Sequence, residues 1–451
     1  MFKNFLFNKP LVMWGLISAF FYFVLALIIN RFDYLDSAYV ITSMALLGLY
    51  VVYFLLFQFY QNHSWKRDEL QTILFFGAVF ILIMVLMVPG EYNDFYHYFF
   101  EDIVIVKYQQ NPYFVAPLNV PHEPLAVLSG WQFLPAQHGP ARFLLTVPAA
   151  WLSQGSIVIG IFLYKVIFAV FTALSAWLAY QIARQFDPAK AIFIYLLCAW
   201  NPLILFGTFA GGGTDILLVF WLLAAVYLAI KERPVLAIAA LGLSVLIKYV
   251  TILLVPIFLI YFWRRQSTTG AKLKVAAYQT ATLVLMTLGF FAPFWQGAGT
   301  LDGVVWVGRF FDVNSFPGLV SIIFYFVSPT LEWYSLKVIF ELFFVAIYAL
   351  TLYRFWRVME MTASTMVYSS VIILSWFLLL AKFWFYPKYL IWLIPLMFLS
   401  KKFFYLPAVF LTGFVIISPY SSVLMPVAMI IPTLVFGFYY FVRRENKFKI
   451  I

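Results

Sequence analysis

Apolar runs of 18 or more residues recur from one end of this chain to the other. A run of that length spans the hydrocarbon core of a bilayer as a helix, so each run predicts a membrane helix. Only 10% of the residues are charged, whereas a soluble domain carries about 25%. A soluble fold of 451 residues would need far more polar surface. We therefore predict an all-α polytopic membrane protein, with residues 1–451 forming a single integral membrane domain.

The apolar runs predict about 12 full membrane helices. They cover residues 11–30, 38–60, 71–89, 156–182, 190–208, 214–231, 275–295, 335–354, 364–382, 388–400, 403–417 and 421–442. No small-residue cleavage site follows 11–30, so we expect this run to stay in place as the first membrane helix.

The charged residues separate the connecting segments into two groups. When the N-terminus is placed in the cytoplasm, most of the 29 Lys and Arg residues fall in inner segments, and most acidic residues fall in outer ones. The positive-inside rule therefore predicts cytoplasmic N- and C-termini. The same asymmetry explains the net charge of +11 without a nucleic-acid partner. The single cysteine, Cys198, excludes disulfides and Cys-based metal sites.

Residues 234–263 are apolar but carry basic clusters at both ends. A single helix would place those clusters on opposite sides of the membrane, so we predict a helical hairpin that returns to the cytoplasmic side. Its turn falls near Lys248, and Pro256 loosens the second arm. A lysine at membrane depth is costly and indicates function, although a snorkelling side chain is the alternative interpretation.

Residues 90–155 form the one long segment outside the predicted membrane helices, and such loops are usually functional. Helical spacing places Asp94, His97 and Glu101 on one face, which predicts an amphipathic helix lying along the membrane surface. We expect Glu101 and Asp102 to be solvated. Asp94 follows a membrane helix directly and is suited to act as a general base, or it serves only as an N-terminal charge on the helix.

Other polar residues of the outer side allow two interpretations each. Arg142 either binds a phosphate or extends towards lipid headgroups. Asp215 follows three glycines that permit close approach of a ligand, and it either binds acceptor or sugar hydroxyls or caps the next helix. Asp94, His97 and Glu101 offer suitable ligand types for a divalent metal, but their spacing carries no metal-site signature.

Several short motifs follow one another in the order found in a known enzyme class. They are Asp94-Phe95-Tyr96-His97-Tyr98, Asn111-Pro112-Tyr113, Gly139-Pro140, Trp200-Asn201-Pro202, Gly211-Gly212-Gly213-Thr214-Asp215, Lys248-Tyr249 with Pro256, and Tyr386-Pro387-Lys388-Tyr389 with Trp392 and Pro395. Together they resemble the GT-C glycosyltransferases, and most closely the polyprenyl-phosphate-mannose-dependent mannosyltransferases. The chain departs from that pattern at Gln109, at His138 and in the glycine loop, which has no histidine.

The resemblance implies a GT-C-like helical bundle in a bacterial or archaeal plasma membrane, with its active site on the non-cytoplasmic face. It implies that Asp94 is the general base of an inverting transfer of a monosaccharide, mannose, from a polyprenyl-phosphate donor to a glycan or glycolipid hydroxyl. The expected donor-phosphate ligands are Lys248, Lys388, Arg142 and Arg309, and the expected acceptor or sugar ligands are His97, Glu101, His138, Asp215 and Tyr386. We expect Lys248 to be the electrostatic partner of Asp94. No cofactor is required, and a divalent metal is possible but not indicated.

A secondary transporter or lipid flippase is the alternative function, because broken hairpins and buried lysines also occur in those proteins. The polar residues, however, crowd one predicted face rather than the membrane midplane, and no internal repeat is apparent. Both observations favour the enzyme.

Overall fold

The computed structural model describes residues 9–31, 36–90, 94–309, 315–327, 333–357 and 360–420. These residues form helices joined by turns and irregular segments, with no strand among them. Eight helical segments in these ranges are long and apolar enough to cross a membrane. They are Pro10–Arg31, Val40–Tyr60, Arg67–Leu86, Ile157–Phe186, Pro188–Phe209, Thr269–Phe291, Leu336–Arg357 and Ala363–Ala381. The chain is therefore an integral membrane protein, as its apolar runs predict.

The α-helices are numbered in chain order. The first ten are α1 Lys9–Arg31, α2 Asp36–Tyr60, α3 Arg67–Leu86, α4 Asp94–Val106, α5 Pro124–Leu128, α6 Ala141–Leu152, α7 Ile157–Phe186, α8 Ala191–Ala199, α9 Pro202–Phe209 and α10 Thr214–Ile230. The others are α11 Pro234–Ile247, α12 Val255–Arg264, α13 Thr269–Phe291, α14 Asp302–Arg309, α15 Phe316–Val327, α16 Trp333–Arg357, α17 Ala363–Trp376, α18 Ile394–Leu399 and α19 Tyr405–Thr412. Three further elements position the site described below: 3-10 helices at Tyr249–Leu254 and Pro387–Trp392, and a π-helix at Phe377–Ala381.

The predicted number of about 12 full membrane helices is not confirmed. The expected spans 388–400 and 403–417 consist of short helical pieces, which include α18 and α19, and 421–442 lies outside the described residues. Met397 and Val409 are completely buried. These short segments are thus apolar because they pack inside the protein, and composition alone does not distinguish a protein interior from lipid.

Helix α4 forms where the helical spacing predicts it, but its polar face is buried in the protein rather than exposed to solvent. Glu101 is 1% exposed and Asp102 is 0% exposed, so the prediction that they are solvated is wrong. The physical reason is Arg142 on α6, which packs against α4 and pairs with both carboxylates. A buried charge is tolerated where an opposite charge meets it.

The apolar stretch 234–263 is interrupted in the middle. Helix α11 ends at Ile247, Lys248 is extended with φ −148° and ψ 121°, and the 3-10 helix Tyr249–Leu254 leads into α12. Pro256 lies in the first turn of α12, where a proline is tolerated because that backbone N–H has no helical partner. Helix α11 packs against α10 and α13, so the interruption brings Lys248 close to the start of α10.

Candidate active site

Asp94 begins α4 and lies among polar side chains from distant parts of the chain. Its Oδ1 accepts a hydrogen bond of 2.6 Å from the Trp131 indole Nε1, and its Oδ2 accepts one from the Lys388 ammonium. Lys388 is 1% exposed and lies in the 3-10 helix Pro387–Trp392. These three residues are called the Asp94 triad.

A second group of the same composition surrounds Asp215 in the first turn of α10. Its Oδ1 accepts hydrogen bonds from the Lys248 ammonium at 2.7 Å and from the Trp392 indole Nε1 at 2.5 Å. These residues are called the Asp215 triad. Asp215 does not cap α10, because the N-cap residue is Gly213, so its carboxylate serves the lysine and the tryptophan instead.

The two triads meet at one place in the fold. Lys388 of the first triad also donates to the Gly211 carbonyl at 2.9 Å, and the glycine loop that follows leads directly to Asp215. The expectation that Lys248 is the partner of Asp94 is wrong, since Lys388 takes that position and Lys248 pairs with Asp215. The structure nevertheless brings Asp94, Asp215, Lys248 and Lys388 together.

The glycine loop packs directly against Asp94. Gly212 has φ +102°, a backbone conformation that favours glycine. A Cβ atom at Gly212 would lie 3.3 Å from the Asp94 Cβ and 3.2 Å from the Tyr98 ring. The loop therefore needs glycine both for its conformation and for its close approach to the carboxylate.

The surroundings of Asp94 favour its ionised form. Burial opposes ionisation, but the Lys388 ammonium and the Trp131 indole together outweigh it and hold the pKa of Asp94 below its ordinary value. Asp94 is therefore a carboxylate at neutral pH, ready to accept a proton but weakly basic while Lys388 stays in contact.

A separate buried network lies further along α4. Arg142 pairs with Glu101 and, at 3.3 Å, with Asp102, which also accepts a hydrogen bond from Tyr164. Burial raises the pKa of Asp102 to about 6, although Arg142 opposes the shift. His97 Nε2 lies 3.2 Å from Glu101 but is not aligned for a hydrogen bond. These five residues are called the Arg142 network.

Burial of the Arg142 network corrects three expectations. Arg142 is 0% exposed, so its predicted position at the outer surface, next to phosphate or lipid headgroups, is wrong. His97 bonds Ser129 at 2.9 Å, and together with Glu101 it faces this network rather than an open ligand site. The network instead fixes α4, and with it Asp94, against α6 and α7.

The backbone at His138 and Gly139 connects the outer loop to the end of α11. The Tyr113 hydroxyl donates to its carbonyl at 2.7 Å, and the next amide, Gly139 N–H, donates to Ile247 O at 3.1 Å. Burial and the nearby cations Lys248 and Arg142 lower the pKa of His138 well below its ordinary value. The His138 imidazole is therefore neutral, and its Nδ1 has no hydrogen-bond partner among the described residues.

The other expected ligands lie at different depths. Tyr386 is partly exposed, and its ring centroid lies 5.6 Å from the Lys388 ammonium. Arg309 ends α14 with an exposed side chain, in contrast to the buried triads. In the described part of the chain, no three His, Cys, Asp or Glu side chains come together as metal ligands would. Asp94 pairs with Lys388, whereas Glu101 pairs with Arg142.

Sequence reasoning missed two residues of this site. Trp131 lies in a Pro-rich loop and donates its indole N–H to Asp94. A tryptophan that can offer this N–H was the one sign of its role in the sequence. Lys382 is the third lysine near the triads, and its ammonium lies 4.9 Å from the Tyr389 ring centroid. Its position at the end of an apolar run gave no indication of a site.

Comparison with known proteins shows what kind of chain carries this site. Residues 23–265 match the family model described as alpha-(1->6)-mannopyranosyltransferase, N-terminal domain, which is more than half of the 451 residues. The chain belongs to this family. The resemblance to GT-C mannosyltransferases is therefore confirmed. Asp94, Asp215 and Lys248 lie inside the matched range of the mannopyranosyltransferase family, whereas Lys382 and Lys388 lie beyond it.

A curated relative gives a second comparison. The chain is 24% identical over 328 residues to alpha-(1->6)-mannopyranosyltransferase A of Mycobacterium tuberculosis. The match covers 68% of this chain and 62% of that protein, so the chain spans less than two thirds of the length of the curated relative. No solved structure matches it.

Proposed function

We propose that this protein is an inverting mannosyltransferase that takes mannose from a polyprenyl-phosphate donor, with Asp94 as its general base. The observation that carries the proposal is the Asp94 triad, which places a buried, ionised carboxylate in contact with a lysine. The glycine loop packs closely against it and brings its backbone next to the carboxylate. The family match supports mannose as the sugar.

The proposed reaction is a single displacement. The hydroxyl oxygen of the acceptor attacks the anomeric carbon of the mannose while Asp94 takes the hydroxyl proton. The bond from that carbon to the phosphate oxygen breaks, and the electron pair leaves with the polyprenyl phosphate. Attack from the face opposite to the leaving group inverts the anomeric centre without a covalent enzyme intermediate.

Lys388 links the leaving group to the base. The donor is a phosphodiester with one negative charge, and the released phosphate monoester carries a second one, so negative charge develops as the bond breaks. A fixed ammonium next to that charge lowers the barrier. As the phosphate attracts Lys388, Asp94 loses part of its positive partner and becomes more basic when the proton must move. The step requires no cofactor.

The polyprenyl chain of the donor needs an apolar binding surface. A cavity of about 750 Å³ lies between α6 and α13, lined by apolar side chains that include Phe143, Leu285 and Phe290. It also contacts Pro140, which follows the Gly139 amide that bonds the end of α11. We propose that the first isoprene units lie there. The positive-inside distribution of charge supports an active site on the non-cytoplasmic face.

Transfer of radiolabelled mannose from a polyprenyl-phosphate mannose to a mannoside glycan or glycolipid tests the function. Purified wild-type protein should form a product, and Asp94→Asn should lower kcat by at least about 100-fold, because a positioned general base contributes about 10²- to 10⁴-fold. Asp302→Asn is the matched control, since Asp302 is an exposed acidic residue at the start of α14. It should retain wild-type activity.

Two results would reject this function. Asp94→Asn with wild-type turnover would remove Asp94 from the role of base. A labelled lipid that crosses the membrane of a vesicle without any covalent transfer would instead favour the flippase.

A further inference from the structure

Lys382 adds an unbalanced positive charge to the candidate site. The two triads together contain two carboxylates and two ammonium groups, so their formal charges cancel. The Lys382 ammonium lies 4.9 Å from the centroid of the Tyr389 ring, and the Lys248 ammonium lies 4.8 Å from the same centroid. Among the described residues no carboxylate oxygen lies within 4.0 Å of Lys382. The site therefore has one lysine more than it has carboxylates, and this lysine supplies one surplus positive charge when it is protonated.

The backbone around Lys382 presents that charge to the same side as several aromatic rings. Lys382 is extended, with φ −98° and ψ 93°, and so is Tyr386, with φ −121° and ψ 146°. Exposure alternates along the segment between them: Lys382, Trp384 and Tyr386 are partly exposed, whereas Phe383 and Phe385 are buried. The chain bends at Phe383 and Trp384, so this alternation belongs to the segment itself and not to a regular strand. One side of this segment thus consists of an ammonium group followed by two rings.

The same strip of side chains reaches the Asp94 triad. The Trp384 ring packs edge to face against Trp131, with centroids 4.7 Å apart, and Trp131 in turn holds Asp94. The phosphate and the reacting carbon of a bound donor would then lie along one continuous surface that ends at the base, Asp94. A partly buried lysine without a carboxylate partner among the described residues is costly to a membrane protein and by default indicates a binding function.

We propose that Lys382 binds the phosphate of the polyprenyl-phosphate donor before the reaction begins. This inference rests on the proposed function. A phosphodiester carries one negative charge, which matches the one surplus positive charge of the site. Lys248 and Lys388 are neutralised by their aspartates in the free protein, so Lys382 attracts the donor first. Lys388 then acts on the charge that develops later.

Binding of fluorescently labelled farnesyl methyl phosphate, a phosphodiester like the donor, to the full-length protein in nanodiscs tests this inference. Lys382→Met should weaken binding by about 10- to 100-fold, as expected when one charge-assisted hydrogen bond is lost. Lys382→Arg should bind within about threefold of wild type, because a guanidinium also binds phosphate. Fluorescent farnesol, which lacks the phosphate, should bind wild type and Lys382→Met equally. Inorganic phosphate at the same concentration should not displace the probe.

The matched control is Lys337→Met. Lys337 lies next to the same segment, 5.1 Å from the Phe383 ring, but its ammonium already donates to the Gly308 carbonyl at 2.7 Å. This variant should bind the probe as wild type does. Lys382→Gln provides a second neutral variant if the methionine variant does not fold.

The outcomes separate the inference from the function on which it rests. Unchanged affinity in folded Lys382→Met or Lys382→Gln, with wild type binding the probe and transferring mannose, would overturn the role of Lys382 and leave the function intact. A wild-type protein that neither binds the farnesyl methyl phosphate probe nor transfers mannose from a polyprenyl-phosphate mannose would overturn the function itself.

Discussion

Replacing Lys388 by methionine tests whether the Asp94 triad is an ion pair that the fold depends on. Methionine has about the same length and removes only the ammonium. The change leaves the Asp94 carboxylate buried with Trp131 as its remaining strong donor. It also leaves the Gly211 carbonyl without the 2.9 Å hydrogen bond from Lys388.

The size of the effect follows from the burial of both partners. Removing one member of a buried pair costs about 3–5 kcal/mol, because the other charge stays buried alone. Asp94 avoids part of that cost by taking up a proton. Protonating a carboxyl group whose ordinary pKa is 3.8 requires about 4 kcal/mol at pH 7. The free energy of unfolding should therefore fall by about 3–4 kcal/mol at pH 7.

The pH dependence gives the change a recognisable sign. In the wild type the pKa of Asp94 lies below 3.8, so its stabilising contribution is present above that pH and is lost only as the pH falls through the lowered value. In Lys388→Met, burial is opposed mainly by the Trp131 hydrogen bond alone and raises the pKa of Asp94. The destabilisation is then largest at high pH and decreases as the pH falls through the raised pKa.

Unfolding of the purified protein by SDS, followed at pH 5, 6, 7 and 8, measures both effects. The double variant Lys388→Met/Asp94→Asn should recover most of the lost stability, because no charge is left unpaired. Lys337→Met is again the control for loss of a lysine. Wild-type stability of Lys388→Met at pH 8, or a double variant no more stable than the single one, would refute the ion-pair argument.

Four further results are expected. Arg142→Met should destabilise by about 3–5 kcal/mol in the same SDS assay, since two buried carboxylates lose their cation; an unchanged midpoint would contradict the Arg142 network. Tyr164→Phe should cost about 1–3 kcal/mol by removing a donor to Asp102, which the same titration measures. Gly139→Ala should lower stability and transfer activity, because a Cβ there overlaps the Leu246 carbonyl. The control Gly270→Ala, with open space around it, should be neutral or stabilising. Equal effects of the two substitutions would reject the packing argument. The pH profile of kcat/KM of the wild type should show no acidic limb from Asp94 above pH 5, because the pKa of that residue is lowered. An acidic limb near pH 6 that disappears in Asp94→Glu would contradict this.

The sequence was sufficient to identify the charged residues of the two triads but not their pairing. Helical spacing placed Asp94 at the start of a helix, and motif order brought attention to Asp215, Lys248 and Lys388. Which lysine meets which aspartate depends on how α10, α11 and the 3-10 helix Pro387–Trp392 pack. Periodicity within one helix contains no information about that packing, so the partner expected for Asp94 was wrong.

The sequence pattern did not predict which polar groups are buried. Glu101 and Asp102 look solvated on a helical wheel, because their partner Arg142 lies about 40 residues later on another helix. Lys382 looks like the end of an apolar run, and its alternation with buried phenylalanines becomes visible only in the structure. The short helices near the C-terminal end look like membrane spans for a related reason, since interior and lipid-facing segments are equally apolar.

The alternation of partly exposed and buried side chains from Lys382 to Tyr386 has a consequence for how this family can vary in length. Substitutions there alter one side chain at a time, but inserting or deleting a single residue would exchange the inward and outward sets. Phe383 and Phe385 would then face the ligand, and the ammonium and indole would be driven into the apolar packing. Relatives that keep the same chemistry should therefore conserve the number of residues in this segment more strictly than their identity, and chimeric proteins should be joined outside it.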